Sequence, residues 1–307
     1  MSLARPALCA ATFLFAASPA LSGPFESPAG FVILKARLEG RHALRLLLDT
    51  GDPLDLTLHE EVGRALGLSA SPPVERDRLG LGGRVRTLVR TARIGVLEIE
   101  GLVWRDREIL LAPAAPQFEA GLGERVDGFL GTGLLRELRL VIDYPARTLS
   151  LSRHAPVPRA PEEGGFPPDA GSDSTRLHLC SGRPFVNVLI HGREKRGALI
   201  DTASAASLID VRISGPTGSP SGAPLDLVDG GGAVIRTAPR RLASLGVGGA
   251  TLENILLVPL DLRRRLDPLL PDRPAPVSFV IGADLLSAHQ VVLDFAAELF
   301  RLEPPGR

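Results

Sequence analysis

The residues from Phe129 to Tyr144 align without a gap on those from Val280 to Phe295, 151 positions later. Two shorter blocks match as well: Ile94-Gly95-Val96 with Leu245-Gly246-Val247 at the same spacing, and Leu48-Asp49-Thr50-Gly51 with Ile200-Asp201-Thr202-Ala203 at 152. A repeat of this kind makes the chain two copies of one folding unit of about 130 residues, which chance similarity does not explain. The copies are assigned to residues 24–153 and 175–303. Between them, residues 154–174 contain Pro156, Pro158, Pro161, Gly164, Gly165, Pro167, Pro168 and Gly171, a density that defeats regular structure and marks a linker.

Composition narrows the class of each copy. With 33 Gly and 27 Pro in 307 residues, long helices are excluded and a turn-rich β architecture is favoured. Phe31 to Leu38 and Leu44 to Leu48 are apolar runs suited to buried strands, and Leu54 to Leu58 alternates with period two. Val62, Leu66 and Leu68, behind Glu60 and Glu61, fit a short amphipathic helix, which the second copy replaces with a Gly-, Ser- and Pro-rich loop over 214–224. Leu134–Leu138 and Asp284–Leu286 read as single helical turns leading into strands at Leu140–Tyr144 and Val291–Phe295.

The 35 Lys and Arg balance the 35 Asp and Glu, so no nucleic-acid partner is expected. A 44% hydrophobic and 23% charged composition argues against disorder and against a polytopic membrane protein. Arg5, the apolar stretch Ala7–Ala17 and small residues at Ser18, Ala20 and Ser22 have the layout of a secretory signal peptide, assigned to residues 1–22. The expected location is therefore periplasmic or secreted, with no membrane span after cleavage. Loss of Cys9 with the leader leaves Cys180, which cannot form a disulfide within the chain and is expected to be a packed residue.

The repeated motif with chemical content is Leu-Leu-Leu-Asp49-Thr50-Gly51 and Ala-Leu-Ile-Asp201-Thr202-Ala203. An aspartate at the end of a buried strand is costly unless compensated. The following threonine can hydrogen-bond across to its counterpart, and the small residue after it lets two backbones approach. If the two turns meet on a pseudo-twofold axis, Asp49 and Asp201 cannot both ionise readily and share one proton. The ionised member can then take a proton from water while the protonated member polarises a peptide carbonyl.

On these residues the chain resembles the retropepsin-type aspartic peptidases, specifically bacterial two-repeat forms. Phe129-Leu130-Gly131 and Val280-Ile281-Gly282, with the Leu-Leu pairs after them, extend the resemblance over nearly all of both copies. It implies an all-β molecule of two β-barrel lobes with few short helices, and catalysis by Asp49 and Asp201 without metal or organic cofactor. It also implies that Thr50, Gly51, Thr202, Ala203, Gly131 and Gly282 support the catalytic turns. Glycine-rich flap tips are implied at Gly82 and Gly83 and at Gly230, Gly231 and Gly232, closing over an extended peptide or protein substrate. Because both halves of the dyad are in one chain, a monomer suffices. Two departures stand out: Asp52-Pro53 follows the first motif, and Ala203 replaces the commoner glycine. Asp52 can raise the pair's pKa values or simply stabilise its own turn. A decayed duplicate that binds peptides without cleaving them is the alternative.

Other chemistries lack their residues. The six histidines show no metal-ligand spacing, no Gly-x-Ser-x-Gly elbow occurs, and Gly80-Leu-Gly-Gly opens no helix that could hold phosphate. Asp143 and Asp294 repeat too, but at strand ends, and are read as structural. The run Arg263-Arg264-Arg265 is read as a solvated surface.

Overall fold

The computed structural model describes residues 21–80, 83–114, 116–153, 175–192, 194–213, 217–228 and 234–304. Most of the leader, all of the linker 154–174 and the flap-tip residues Gly82, Gly230, Gly231 and Gly232 lie outside them.

The first half contributes β1 (Leu21–Pro24), β2 (Ile33–Leu38), β3 (His42–Leu48), β4 (Leu56–His59), α1 (Glu60–Ala65), β5 (Val74–Gly80), β6 (Gly83–Ile99), β7 (Leu102–Ala112), α2 (Pro116–Leu122), β8 (Gly128–Leu130), α3 (Thr132–Leu135), β9 (Leu138–Asp143) and β10 (Thr148–Arg153). The second contributes β11 (Thr175–Cys180), β12 (Arg183–Ile190), β13 (Glu194–Ile200), β14 (Leu208–Asp210), β15 (Thr217–Pro220), β16 (Leu225–Val228), β17 (Val234–Thr237), β18 (Arg240–Val247), β19 (Ala250–Leu260), α4 (Leu262–Leu266), β20 (Val277–Ile281), α5 (Ala283–Leu286), β21 (Gln290–Asp294) and β22 (Leu299–Glu303). The longest described helix has seven residues, as the proline and glycine content requires.

Each half closes a barrel. In the first, the order β2-β3-β8-β4-β7-β6 returns to its start because β6 also pairs with β2; in the second, β12-β13-β20-β14-β19-β18 closes through β18 on β12. Closure removes the unpaired edges that an open sheet of this size exposes. Leu46, Leu47 and Leu48 are fully buried, as are Val186, Val188 and Ile200 in the other lobe. Each such side chain stabilises the fold by roughly 1.5–3 kcal/mol. A sheet in the order β1-β10-β9-β21-β22-β11 joins the lobes. At its centre Val141 pairs with Val292, its own repeat equivalent, so the pseudo-twofold axis passes between them.

The register corrects two readings of the sequence. Ile33 pairs with Leu47 and Phe185 with Leu199, so the 152 spacing holds in β2 and β3. In the closing strand, however, Leu38 pairs with Leu97 and Ile190 with Leu245, a spacing of 148. Ile94-Gly95-Val96 is therefore not the structural equivalent of Leu245-Gly246-Val247. The stretch read as a loop over 214–224 also holds a strand, β15, paired with β18. Asp143 and Asp294 accept bonds from the Ala146 and Ala297 amides at 2.8 and 2.9 Å, which makes them turn-formers at strand ends.

Candidate active site

Asp49 and Asp201 sit where β3 and β13 end, each opening a turn closed by the amide three residues on: Asp52 donates to the Asp49 carbonyl and Ser204 to that of Asp201, both at 3.2 Å. The two turns meet across the pseudo-twofold axis through the threonines. The Thr50 hydroxyl accepts from the Thr202 amide at 3.0 Å and donates to the Ile200 carbonyl at 2.8 Å. Reciprocally, the Thr202 hydroxyl accepts from the Thr50 amide at 3.1 Å and donates to the Leu48 carbonyl at 2.7 Å. Neither threonine has any exposed surface. Four buried backbone groups are thereby satisfied by two hydroxyls, which fixes the separation of the turns.

The glycines are needed for space rather than for conformation. A Cβ on Gly51 would lie 2.8 Å from Oδ2 and 3.0 Å from Oδ1 of Asp201, so the opposite carboxylate packs directly against this residue. Neither Gly51 nor Ala203 has positive φ, and alanine at 203 is therefore compatible with its backbone; its amide donates to Asp201 Oδ1 at 3.0 Å. Gly131 and Gly282 lie beneath the turns. Added Cβ atoms would meet the Leu54 carbonyl at 2.2 Å and the Ser204 carbonyl at 2.6 Å, contacts no side chain tolerates. From the same elements the Leu130 carbonyl accepts the Asp49 amide at 2.9 Å and the Ile281 carbonyl accepts that of Asp201 at 3.0 Å.

Asp49 and Asp201 are each half-buried as residues. Burial pushes Asp49 well above the ordinary carboxylate range, with the negative charges of Asp201 and Asp52 acting in the same direction and the Gly51 amide and Arg183 opposing it. Burial also raises Asp201, to about 6, against the Ala203 amide, Arg183 and the Ser204 amide, while Asp52 adds to the rise. The two titrate as a pair. Asp52 both shapes its turn and acts at a distance: its carboxylate accepts from the Leu54 amide at 3.1 Å and the Thr57 hydroxyl at 3.2 Å, and its charge reaches both aspartates.

Of the flap residues, Gly83 is described: it opens β6 opposite Gly80, at the end of the β5–β6 hairpin. The second hairpin, β16–β17, is paired from Leu225–Thr237 to Val228–Val234 and reaches α2 of the first lobe. Cys180 is buried and free, its thiol pushed up to about 12 mainly by burial. Among the described residues no group of three or more His, Cys, Asp and Glu could hold a metal, and no helix is long and apolar enough to cross a membrane.

Three contacts escaped the motif reading. The Arg183 Nε donates to the Gly51 carbonyl at 2.8 Å. Thr132 donates from its hydroxyl to the Asp52 carbonyl at 3.0 Å and to that of Gly182. Ser207 receives the Gly282 amide at 2.9 Å and donates to Asp284 at 2.6 Å. Arg183 had one available signal: it stands 152 residues after Phe31, where the register predicts an apolar residue.

No family profile and no curated protein matches the sequence. Among solved structures, the chain is similar to the crystal structure of an aspartic proteinase from Irpex lacteus, with 14% identity and a TM-score of 0.52 over 94% of this chain and 98% of that one. Two barrels, a shared central sheet and paired turns on one axis thus give this chain the bilobal fold of an aspartic proteinase.

Proposed function

We propose that this protein is an aspartic endopeptidase in which Asp49 and Asp201 activate water against a peptide bond. The observation that carries this reading is the reciprocal threonine bonding, which seats the two aspartates on one axis and brings the Asp201 carboxylate against Gly51. With one proton on the pair, the ionised carboxylate removes a proton from water as its oxygen attacks the carbonyl carbon, and the protonated one passes its proton to the carbonyl oxygen, which becomes the second hydroxyl. Collapse of the resulting gem-diol returns a proton to the departing nitrogen as the C–N bond breaks. Burial of the pair raises its pKa values and supports a shared proton in mildly acidic solution.

In this reading the substrate lies extended between the lobes, held by backbone hydrogen bonds as an added strand is held. The hairpins β5–β6 and β16–β17, one from each lobe, favour the two-flap, two-repeat retropepsin type. Residues 1–22 would direct export to the periplasm or beyond, and a monomer carries both aspartates.

The test is hydrolysis of a mixed peptide library between pH 3 and 8 by wild type, Asp49→Asn and Asp201→Asn. Cleavage abolished by both substitutions is expected. Cleavage that survives Asp49→Asn removes the dyad assignment, and peptide binding without cleavage by the wild type establishes the binding-module alternative instead.

A further inference from the structure

The two lobes differ at the turn before the hairpin that leads to each of the paired aspartates. In each, a two-residue turn with positive φ precedes the first barrel strand: Ala29 and Gly30 at 49° and 84°, Ser181 and Gly182 at 46° and 79°. Each turn rests on the opposite lobe. Gly30 lies against Ala283, and Gly182 lies against Pro53. The residue that follows is Phe31 in one lobe and Arg183 in the other. Phe31 is buried in an apolar cluster that also takes in Ala203. Arg183 occupies the equivalent place with a guanidinium.

That guanidinium is firmly held. Its Nε donates to the Gly51 carbonyl at 2.8 Å and one terminal nitrogen to the Ser181 carbonyl at 3.3 Å. The turn carrying it is clamped in turn: Asp272 receives the Ser181 amide and hydroxyl, both at 2.7 Å, and the Gly182 carbonyl receives the Thr132 hydroxyl from the first lobe. A rigid cation therefore reaches across the lobe boundary to the peptide between Thr50 and Asp52. Asp52 is fixed there by its bonds to Leu54 and Thr57. The charges acting on Arg183 are, in order, those of Asp52, Asp49, Asp201 and Asp272.

We propose that Arg183 is a positioning residue of the catalytic pair, locking the Gly51 carbonyl across the lobe interface and supplying the counter-charge that offsets Asp52. This rests on the dyad reading above. A third carboxylate beside two that share a proton drives both toward protonation, and a cation held beside the same turn opposes it. The two charges act on both aspartates with opposite sign, Asp52 raising and Arg183 lowering their pKa values. A chain with Asp52 and no cation here would need a higher pH to ionise one member of the pair.

The experiment is the pH profile of kcat/KM for wild type, Arg183→Gln, Arg183→Lys, Asp52→Asn and the double variant Arg183→Gln/Asp52→Asn. Arg183→Gln is expected to move both limbs upward by about one pH unit, near the lower end of the effect of a neighbouring opposite charge. Arg183→Lys should restore most of that shift, Asp52→Asn alone should move the limbs downward, and the double variant should return near wild type. Loss of rate with unmoved limbs, or a shift that Asp52→Asn fails to reverse, overturns the proposal. If Arg183→Gln does not fold, Arg183→Lys and Asp52→Asn still decide the direction. If the wild type cleaves no peptide, the dyad reading fails separately, and carbon-13 titration of the Asp49 and Asp201 carboxyls in the same variants reads the same expected displacements.

Discussion

Replacing Thr50 by valine tests the joint on which the site depends. Valine keeps the shape of threonine and removes its hydroxyl, so no cavity opens, but the Thr202 amide and the Ile200 carbonyl lose their partners at 3.0 and 2.8 Å. Both groups lie beside fully buried side chains, where water cannot replace the lost bonds. An unsatisfied buried group costs about 1–3 kcal/mol, and since the carbonyl has a second lone pair the combined loss should be about 3 kcal/mol. That changes the folding equilibrium by more than roughly a hundredfold. Urea unfolding measures it, with fluorescence of Trp104, the sole tryptophan and buried in the first lobe, alongside circular dichroism for the whole chain. With a denaturant slope near 3 kcal/mol/M, the midpoint should fall by about 1 M. Thr50→Ser keeps the hydroxyl and should lose less than about 1 kcal/mol. The double variant Thr50→Val/Thr202→Val should lose less than the sum of the single losses, because the two hydroxyls belong to one network and the first substitution already loosens the joint that the second supports. The reasoning is refuted if Thr50→Val and Thr50→Ser unfold at the same urea concentration.

Gly51→Ala would place a methyl 2.8 Å from the Asp201 carboxylate, so peptide hydrolysis should fall at least about a hundredfold, whereas Ala203→Gly should stay within a few-fold; comparable losses in steady-state assays would contradict the packing account. Because the Asp201 carboxyl is raised to about 6 from an ordinary value near 3.9, the folded pair binds more protons than the unfolded chain, and its contribution to stability is present at low pH and lost as pH rises through about 6. Asp201→Asn should flatten that decline by up to about 2 kcal/mol in melts taken from pH 4 to 7; an unchanged slope assigns it elsewhere. His59 has the opposite sign: burial lowers its pKa against Glu119, Glu61 and Asp127, so its contribution is present above the ordinary imidazole value near 6.5 and is lost as pH falls from there through its lowered folded value, and His59→Leu should remove that acid-side loss in the same melts.

The strands and the two Asp-Thr turns were legible because local pattern and repeat spacing agree there. Apolar runs ending in Asp-Thr mark β3 and β13, and the Gly131 and Gly282 blocks mark the layer beneath them. The joining sheet was not legible: its pairings connect β9 to β21 and β1 to β10, and nothing local in those strands specifies their partners. The three-residue match at Ile94 misled for a related reason. Aliphatic residues around a glycine are common in a chain with 33 glycines, and the true spacing is set by the hairpins, where Ile99 meets Leu102 and Val247 meets Ala250. The helix α4 was not legible because Leu262-Arg263-Arg264-Arg265-Leu266 reads as a charge run rather than as an apolar period. Asp210, fully buried, gave no signal because one of its partners, Arg263, lies 53 residues further along; part of the arginine run read as solvated serves this buried charge.

What the repeat conceals is as informative as what it reveals, since a perfect copy would surround both aspartates identically and leave the shared proton alone to distinguish general acid from general base. The differences lie along one path. Thr132 bonds the Gly182 carbonyl, whereas its equivalent Ala283 offers only a methyl group beside Gly30. Arg183 bonds the Gly51 carbonyl, whereas its equivalent Phe31 packs in a cluster with Ala203. Asp52 adds a charge where the second lobe has Ser204, whose hydroxyl donates to the Ala206 carbonyl at 2.9 Å. Along this path the first Asp-Thr turn is bound through polar and charged groups, and the second mainly through apolar contacts. Two covalently joined copies can diverge in this way; two identical chains meeting on a true twofold axis cannot, because every substitution appears on both sides. In the proposed enzyme the duplication preserves the geometry that brings two carboxylates together, and the divergence of the copies gives those carboxylates unequal surroundings.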